Sequence, residues 1–178
     1  MLDILTSSSI LFAGITQDEA KLMLPCLGAT RRVFSREERI MRAGQPTDYL
    51  GVVLSGRVRI EVSDAWGETT ILEMLGPGSL FAHGYACSME PLDIDVLADT
   101  ACEVVLLKAE RIIHSCPKQC GCHAHISSNL MRALALSNLD MNHRAIAMTP
   151  KTIRGKILAF LSQQQKKAGT RAFAIPYS

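Results

Sequence analysis

The chain has 178 residues, 48% of them apolar and only 5% aromatic, so Leu, Ile, Val and Met must fill any core. Its 19 basic and 17 acidic side chains nearly balance, which argues against nucleic acid or an anionic membrane as a partner on charge alone. No run reaches the ~18 apolar residues of a membrane span. The start, Met1-Leu-Asp-Ile-Leu-Thr-Ser, lacks the positive region of a signal peptide, so a cytoplasmic location is expected, with the six cysteines as thiols or ligands rather than disulfides.

Thr16 is placed to cap a helix that runs to about Leu27, with Ala20, Met23, Leu24 and Leu27 at helical spacing and Gly28 as its stop. From Thr30 to Lys108 the pattern changes to short strands. "VFSREERIMRAGQPTDYL" holds a hairpin or long turn around Gly44-Gln45-Pro46. "VVLSGRVRIEV" reads as the clearest hairpin, turning at Ser55-Gly56. Its Val58, Ile60 and Val62 alternate with Arg57, Arg59 and Glu61, which predicts one buried face and one wet face. "ETTILEMLGPG" is a further strand, closed by Gly76-Pro77-Gly78. Residues 76–107 then read as a loop wedged between strands and ending in an apolar strand, and within them "DIDVLADTACEVVLL" gives two more strands around Asp99-Thr100. Strands this short and frequent predict an antiparallel sandwich, jelly roll or roll.

Helical spacing returns after Lys108. A short helix over about Ala109–Cys116 stops at Pro117, and a long one runs from about Cys120 to Met148. Leu130, Leu134, Met141, Ala145 and Met148 form an apolar seam fit for a coiled coil or for packing on the roll, with Leu136, Leu139 and Ile146 beside it. Thr149 as N-cap and Pro150 as first residue open another helix, with the stripe Ile153, Ile157 and Leu161 and an end at Gly169. "AFAIPYS" reads as a strand. The last 30 or so residues are too few for a core of their own, since domains below ~40 residues need extra staples.

This order of elements, and the words "VVLSGRVRI", "GPGSLF", "ADTACEVVLLKAERI" and "RGKILAFLSQQQKKAGTRAFAIPYS", resemble the Crp/Fnr family of bacterial transcription regulators over about residues 10–178. The resemblance implies an α+β chain: an antiparallel β-roll (a double-stranded jelly roll like the cyclic nucleotide-binding domain) with N-terminal helices and a long C-terminal dimerisation helix. It divides the chain into an effector-binding roll at 1–115, a dimerisation helix at 116–148 and the start of a winged helix-turn-helix at 149–178. It implies a homodimer that senses a small-molecule effector, uses no cofactor and no membrane, and reads DNA only in a full-length form. The family's DNA-reading helix would follow "IPYS", so this chain alone is expected to bind DNA without sequence preference.

Cyclic-AMP-binding members of that family carry Gly-Glu in the loop after the Pro-Gly turn and Arg-Ser or Arg-Thr further on. Those positions here are Ala82-His83 and Leu92-Asp93. The Arg that would pair with the cyclic phosphate is absent and Asp93 adds an anion, so the pocket is expected to refuse a cyclic nucleotide. The implied effector contacts are Phe81, Ala82, His83, Gly84, Leu92 and Asp93, with Met141 and Asn142 from the long helix; Asn142 also reads as a polar residue that sets the register of a dimer seam. Two alternatives belong to the same family. Cys116, Cys120, Cys122, His123 and His125 are metal or redox candidates, although a helix start with small buried thiols accounts for them too. His83 resembles a haem-binding histidine of the family, against the plainer role of a hydrogen-bonding wall residue. An enzyme on a cupin-like roll would need two His close along a strand with a Glu and a third His, and the pair His123 and His125 lies outside the strands.

Overall fold

The computed structural model describes residues 1–114, 121–170 and 172, with the side chains of residues 121, 122 and 167 excepted. The order is α1 (Leu2–Ser8), a 3-10 turn (Ile10–Phe12), α2 (Gln17–Cys26), β1 (Thr30–Phe34), β2 (Arg39–Met41), β3 (Tyr49–Ser55), β4 (Val58–Ser63), β5 (Thr69–Leu75), β6 (Leu80–Phe81), α3 (His83–Ser88), β7 (Asp95–Ala98), β8 (Cys102–Lys108), α4 (Ala109–Ile113), α5 (Gly121–Met148) and α6 (Ile153–Ala168). The chain forms two compact units, Met1–Ala133 and Leu134–Ser178.

The first unit is a jelly roll of two four-stranded antiparallel sheets, β1-β8-β3-β6 and β2-β7-β4-β5. The α2 start is as its sequence predicts. The Thr16 hydroxyl accepts from Glu19 N while the Glu19 carboxylate accepts from Thr16 N, a reciprocal capping box. The expected Ser55-Gly56 hairpin is corrected. Its two strands do not pair: β3 lies between β8 and β6, and β4 lies between β7 and β5. The reason is burial. All of Leu50–Leu54 is buried, so β3 is covered on both faces and belongs inside a layered sheet; in β4 Val58 and Ile60 are buried as expected, but Glu61 is buried too and Val62 only half-buried. The chain turns at Gly56 from one sheet to the other, and the true hairpin is β4–β5. The segment around Gly44 is likewise a long turn rather than a hairpin, because β2 pairs with β7 in the other sheet from β3.

Leu5, Leu11, Phe12, Leu27, Leu50, Val52, Val105, Leu107 and Ile112 are all buried, alternate residues of β3 and β8 among them, so the N-terminal helices cover the outer face of the first sheet. The start of α5 belongs to the same unit. Ile126, Leu130 and Ala133 are buried there. Asn129 Nδ2 donates to Leu11 O (3.0 Å) and Ala13 O (2.8 Å), which ties α5 to the N-terminal turn. Leu130 is therefore spent on this unit, while Met141 (71% exposed) and Met148 further along the predicted seam are open to solvent.

In the second unit Ala147 is buried, and Leu136, Leu139 and Ile146 are exposed. The start of α6 differs from expectation. Its N-cap is Thr152, whose hydroxyl accepts from Gly155 N at 3.0 Å. Thr149 is taken by the preceding helix, its hydroxyl donating to Ile146 O at 2.7 Å, so it cannot serve α6. Gly169 ends the helix in the left-handed region, as predicted. The predicted strand in "AFAIPYS" lies outside the described residues, apart from Ala172.

Candidate effector site within the roll

Strand alternation decides what faces the space between the sheets. Val53, Phe81, Cys102 and Val104 come from the first sheet, and Val58, Ile60, Leu75, Val96 and Ala98 from the second. Ala82 and Leu92 complete the buried cluster, and Phe34, Ile40, Met41, Tyr85, Ile94 and Leu106 pack against it. Gly51 of β3 stands opposite Phe81 in the ladder, and the Phe81 ring lies directly over it.

The loop that follows β5 is anchored on both sides. Gly78 N donates to Val53 O (2.8 Å) and Val53 N to Ser79 O (3.0 Å), so the Gly76–Ser79 turn continues the β3 edge. Leu92 is held by backbone bonds to the Gly44 turn: Gly44 N donates to Leu92 O (2.7 Å) and Leu92 N to Gln45 O (3.1 Å). Between them the sequence suggests only a loop, but the chain makes α3. Nothing in the residue types marks this helix, because both of its caps, Ala82 (φ 55°) and Met89 (φ 61°), are non-glycine residues in the left-handed region. Ala82 occupies the position where the resemblance puts a glycine, and its backbone shows why a glycine would suit.

The charges lie outside the cluster. Val58 and Ile60 face inward, so Arg59 and Glu61 face outward. That outer face is not the wet one the alternation predicts. Arg59 makes two bonds to Glu37 (2.8 and 2.6 Å) and one to Glu61 (2.7 Å), and Glu61 is buried. The Glu37 and then the Glu61 carboxylate hold the guanidinium charge firmly, and Arg59 in turn lowers the Glu37 carboxyl. Arg39 pairs with Asp95 (3.2 Å), and Arg57 with Asp99 (2.9 Å).

The structure thus gathers Phe81, Ala82 and Leu92 into the buried cluster and leaves His83 partly buried beside it. Gly84 and Asp93 are exposed. The buried acid is Asp95, two residues on, which accepts from Ala43 N at 3.1 Å and balances Arg39; its outward register is a signal that alternation from Val96 and Ala98 could have given. Met141 and Asn142 lie in the second unit, where Asn142 Nδ2 donates to Asn138 Oδ1 (3.1 Å). Among the metal candidates, Cys116, Cys120 and the Cys122 side chain lie outside the described residues. His123 is buried, its Nε2 without a hydrogen-bond partner among the described residues, and His125 is exposed. Burial pushes the Cys87 thiol up; burial and then the nearby Glu38 charge do the same to Cys102, away from the thiolate that metal or oxidant would require.

Burial also holds His83 below its ordinary value of 6.5. The sign follows directly. The unfolded chain takes up this proton more readily than the folded one, so stability falls as pH drops through 6.5 toward the lower folded value. Urea midpoints at pH 7.5 and 5.5 should differ more in the wild type than in His83→Gln, which has no proton to bind there; equal differences would show that His83 titrates alike in both states.

Comparison with known proteins agrees with this geometry. Residues 31–116 match the family described as the cyclic nucleotide-binding domain. No curated protein matches the sequence. Among solved structures, a cyclic nucleotide-binding domain from Methylobacillus flagellatus shares 16% identity at a TM-score of 0.67, covering 85% of this chain and 84% of its own. The Catabolite Activator Protein of Thermus thermophilus shares 21% at 0.60, covering 90% and 72%. The sensor domain of the transcriptional regulator DNR from Pseudomonas aeruginosa shares 18% at 0.59, covering 85% and 94%. At such identities the likeness is one of fold. Residues 31–116 thus match the cyclic nucleotide-binding domain, and the jelly roll is the fold that these solved structures share.

Proposed function

We propose that this chain is the effector-sensing and dimerising part of a DNA-binding transcription regulator of the Crp/Fnr kind, acting in the bacterial cytoplasm as a sensor rather than an enzyme, and that its effector is not a cyclic nucleotide. The division follows the resemblance: an effector roll at 1–115, a dimerisation helix at 116–148, and the first part of a DNA-binding domain at 149–178. The observation that carries the effector reading is Leu92. It stands buried in the cluster at the position where the resemblance calls for the phosphate-pairing Arg, and no Arg or Lys is buried among the described residues. Asp93, being exposed, adds less to this reading than the missing cation does.

Calorimetric titration with cyclic AMP or cyclic GMP should show no saturable binding below about millimolar, roughly −4 kcal/mol. Micromolar binding would overturn the effector reading. Assembly has its own test. Leu136, Leu139, Met141, Ile146 and Met148 are five exposed apolar side chains on one helix, more than a solvated face needs. Sedimentation at micromolar concentration should give a dimer, and Leu139→Lys with Ile146→Lys should give a monomer. A monomeric wild type would remove the dimer helix.

A further inference from the structure

We propose that the second unit holds a site for an amphiphilic carboxylate, an apolar chain ending in one negative charge, in the groove between α5 and α6. The site stands apart from the effector reading of the roll and goes beyond it. Three observations lead to it.

First, there is space. The two helices are joined by only four residues, and the groove between them has a volume of about 460 Å³. Small-molecule sites usually fall between roughly 300 and 1,000 Å³. Second, its walls are apolar. Ala147 and Met148 come from α5, and Ile153, Ile157 and Phe160 from α6. Ile153 is 79% exposed and Ile157 53%, one helical turn apart on the same face. A bound alkyl chain would remove that surface from water. Of these residues only Met148 is also assigned above to a second copy.

Third, the charge is unbalanced. Residues 134–178 carry seven Lys and Arg side chains against a single acid, Asp140, while the rest of the chain carries twelve against sixteen. Asp140 and Arg144 line the groove as a pair, Arg144 Nε to Asp140 Oδ2 at 3.1 Å. Lys156 lines it too, exposed and without an ion pair among the described residues. One such cation matches one carboxylate, and the amides of Gln163 and Gln164 in the same lining supply N–H donors for its oxygens. A nucleic-acid backbone would use the lysine and leave the apolar wall wet. A neutral ligand would gain nothing from the lysine.

The test titrates the whole chain by calorimetry with decanoate and two controls. Decyltrimethylammonium has the same chain with the opposite charge, and acetate has the same head without the chain. The expected result is saturable binding of one decanoate per chain, at least about tenfold tighter than either control. Lys156→Gln should weaken decanoate by about three- to fivefold and leave decyltrimethylammonium no weaker. Ile157→Asn should weaken both by about threefold or more. Lys151→Gln removes the same charge outside the lining and should leave decanoate binding unchanged. If Ile157→Asn loses helix content, Ile153→Asn, at a still more exposed position, takes its place. Decanoate bound no tighter than decyltrimethylammonium, or weakened as much by Lys151→Gln as by Lys156→Gln, would overturn the charge match and with it the proposal. Decanoate binding that neither groove variant changes would place it elsewhere on the chain, and no binding would remove the site. A short DNA duplex that displaces decanoate, and is weakened alike by Lys151→Gln and Lys156→Gln, would make these cations a phosphate surface instead. The effector reading of the roll survives each of these results.

Discussion

Replacing Gly51 by alanine should destabilise the first unit by about 3–5 kcal/mol, as much as deleting a buried aromatic ring. The glycine lies in the middle of β3, paired with Phe81 on one side and Leu106 on the other. A Cβ added there would fall 2.0 Å from Phe81 Cζ and 2.4 Å from each Cε, well inside contact distance. The Gly51 backbone is ordinary extended strand, so the cost comes from the ring alone. Phe81 is only 1% exposed and packed in the cluster with Val53 and Ala82. It has no free space to move into, so the milder cost of overpacking, about 1–3 kcal/mol, understates the effect. Displacing the ring also moves Ala82 and the start of α3, so the variant should lose effector binding along with stability. A double-mutant cycle isolates the cause. With Phe81→Ala already in place, Gly51→Ala should add little, because the atoms it strikes are gone. Additive losses in urea unfolding would show that some other contact is responsible.

Gly51 also marks where sequence reasoning stops. A glycine between hydrophobic strand residues has no visible role until one knows that Phe81, 30 residues later, lies over it. The jelly-roll class was legible, because alternation and turn residues are local: Val58 and Ile60 do face the cluster, and the Thr16 and Gly169 helix ends lie where their residue types put them. Sheet membership was not legible. Whether β3 pairs with β4 depends on what covers the outer face of Leu50, Val52 and Leu54, and that cover comes from helices far off in the chain. Competition between neighbours was equally hidden. Thr149 and Thr152 are both acceptable caps, and only the bond of Thr149 to Ile146 O leaves the role to Thr152. At the candidate site, the resemblance picked out Phe81, Ala82 and Leu92, which the fold brings into one cluster. It passed over Asp95, which pairs with Arg39, and Arg59, which pairs with Glu37 and Glu61, so both arginines are committed to carboxylates.

Gly56→Ala should be about as damaging, roughly 2–5 kcal/mol, for a different reason. Two turns carry the chain between sheets at this end of the roll, one at Gly56 between β3 and β4, the other at residues 99–101 between β7 and β8. They dock on each other. Asp99 N and Thr100 N donate to Arg57 O (3.0 and 3.3 Å), and Arg57 N donates to Thr100 Oγ1 (2.9 Å). Gly56 has φ 75°, and a Cβ on it would lie 2.2 Å from Ala101 O and 2.8 Å from Cys102 Cα. The left-handed conformation alone costs an alanine about 1–2 kcal/mol. The rest comes from backbone atoms that have nowhere to go, since Cys102 is already paired with Phe34 in the sheet. Gly67, in the β4–β5 hairpin, separates the two contributions. Its φ is 85°, yet a Cβ there meets nothing within 4 Å. Gly67→Ala should therefore cost only the conformational part, and Gly67→Asn should recover most of it, because asparagine tolerates the left-handed region. Gly56→Asn should recover almost nothing, because its Cβ strikes the same carbonyl. Recovery of stability by Gly56→Asn in urea unfolding would mean that the two turns can separate at little cost, and that the docking of residues 55–57 on residues 99–101 does not hold this end of the roll together.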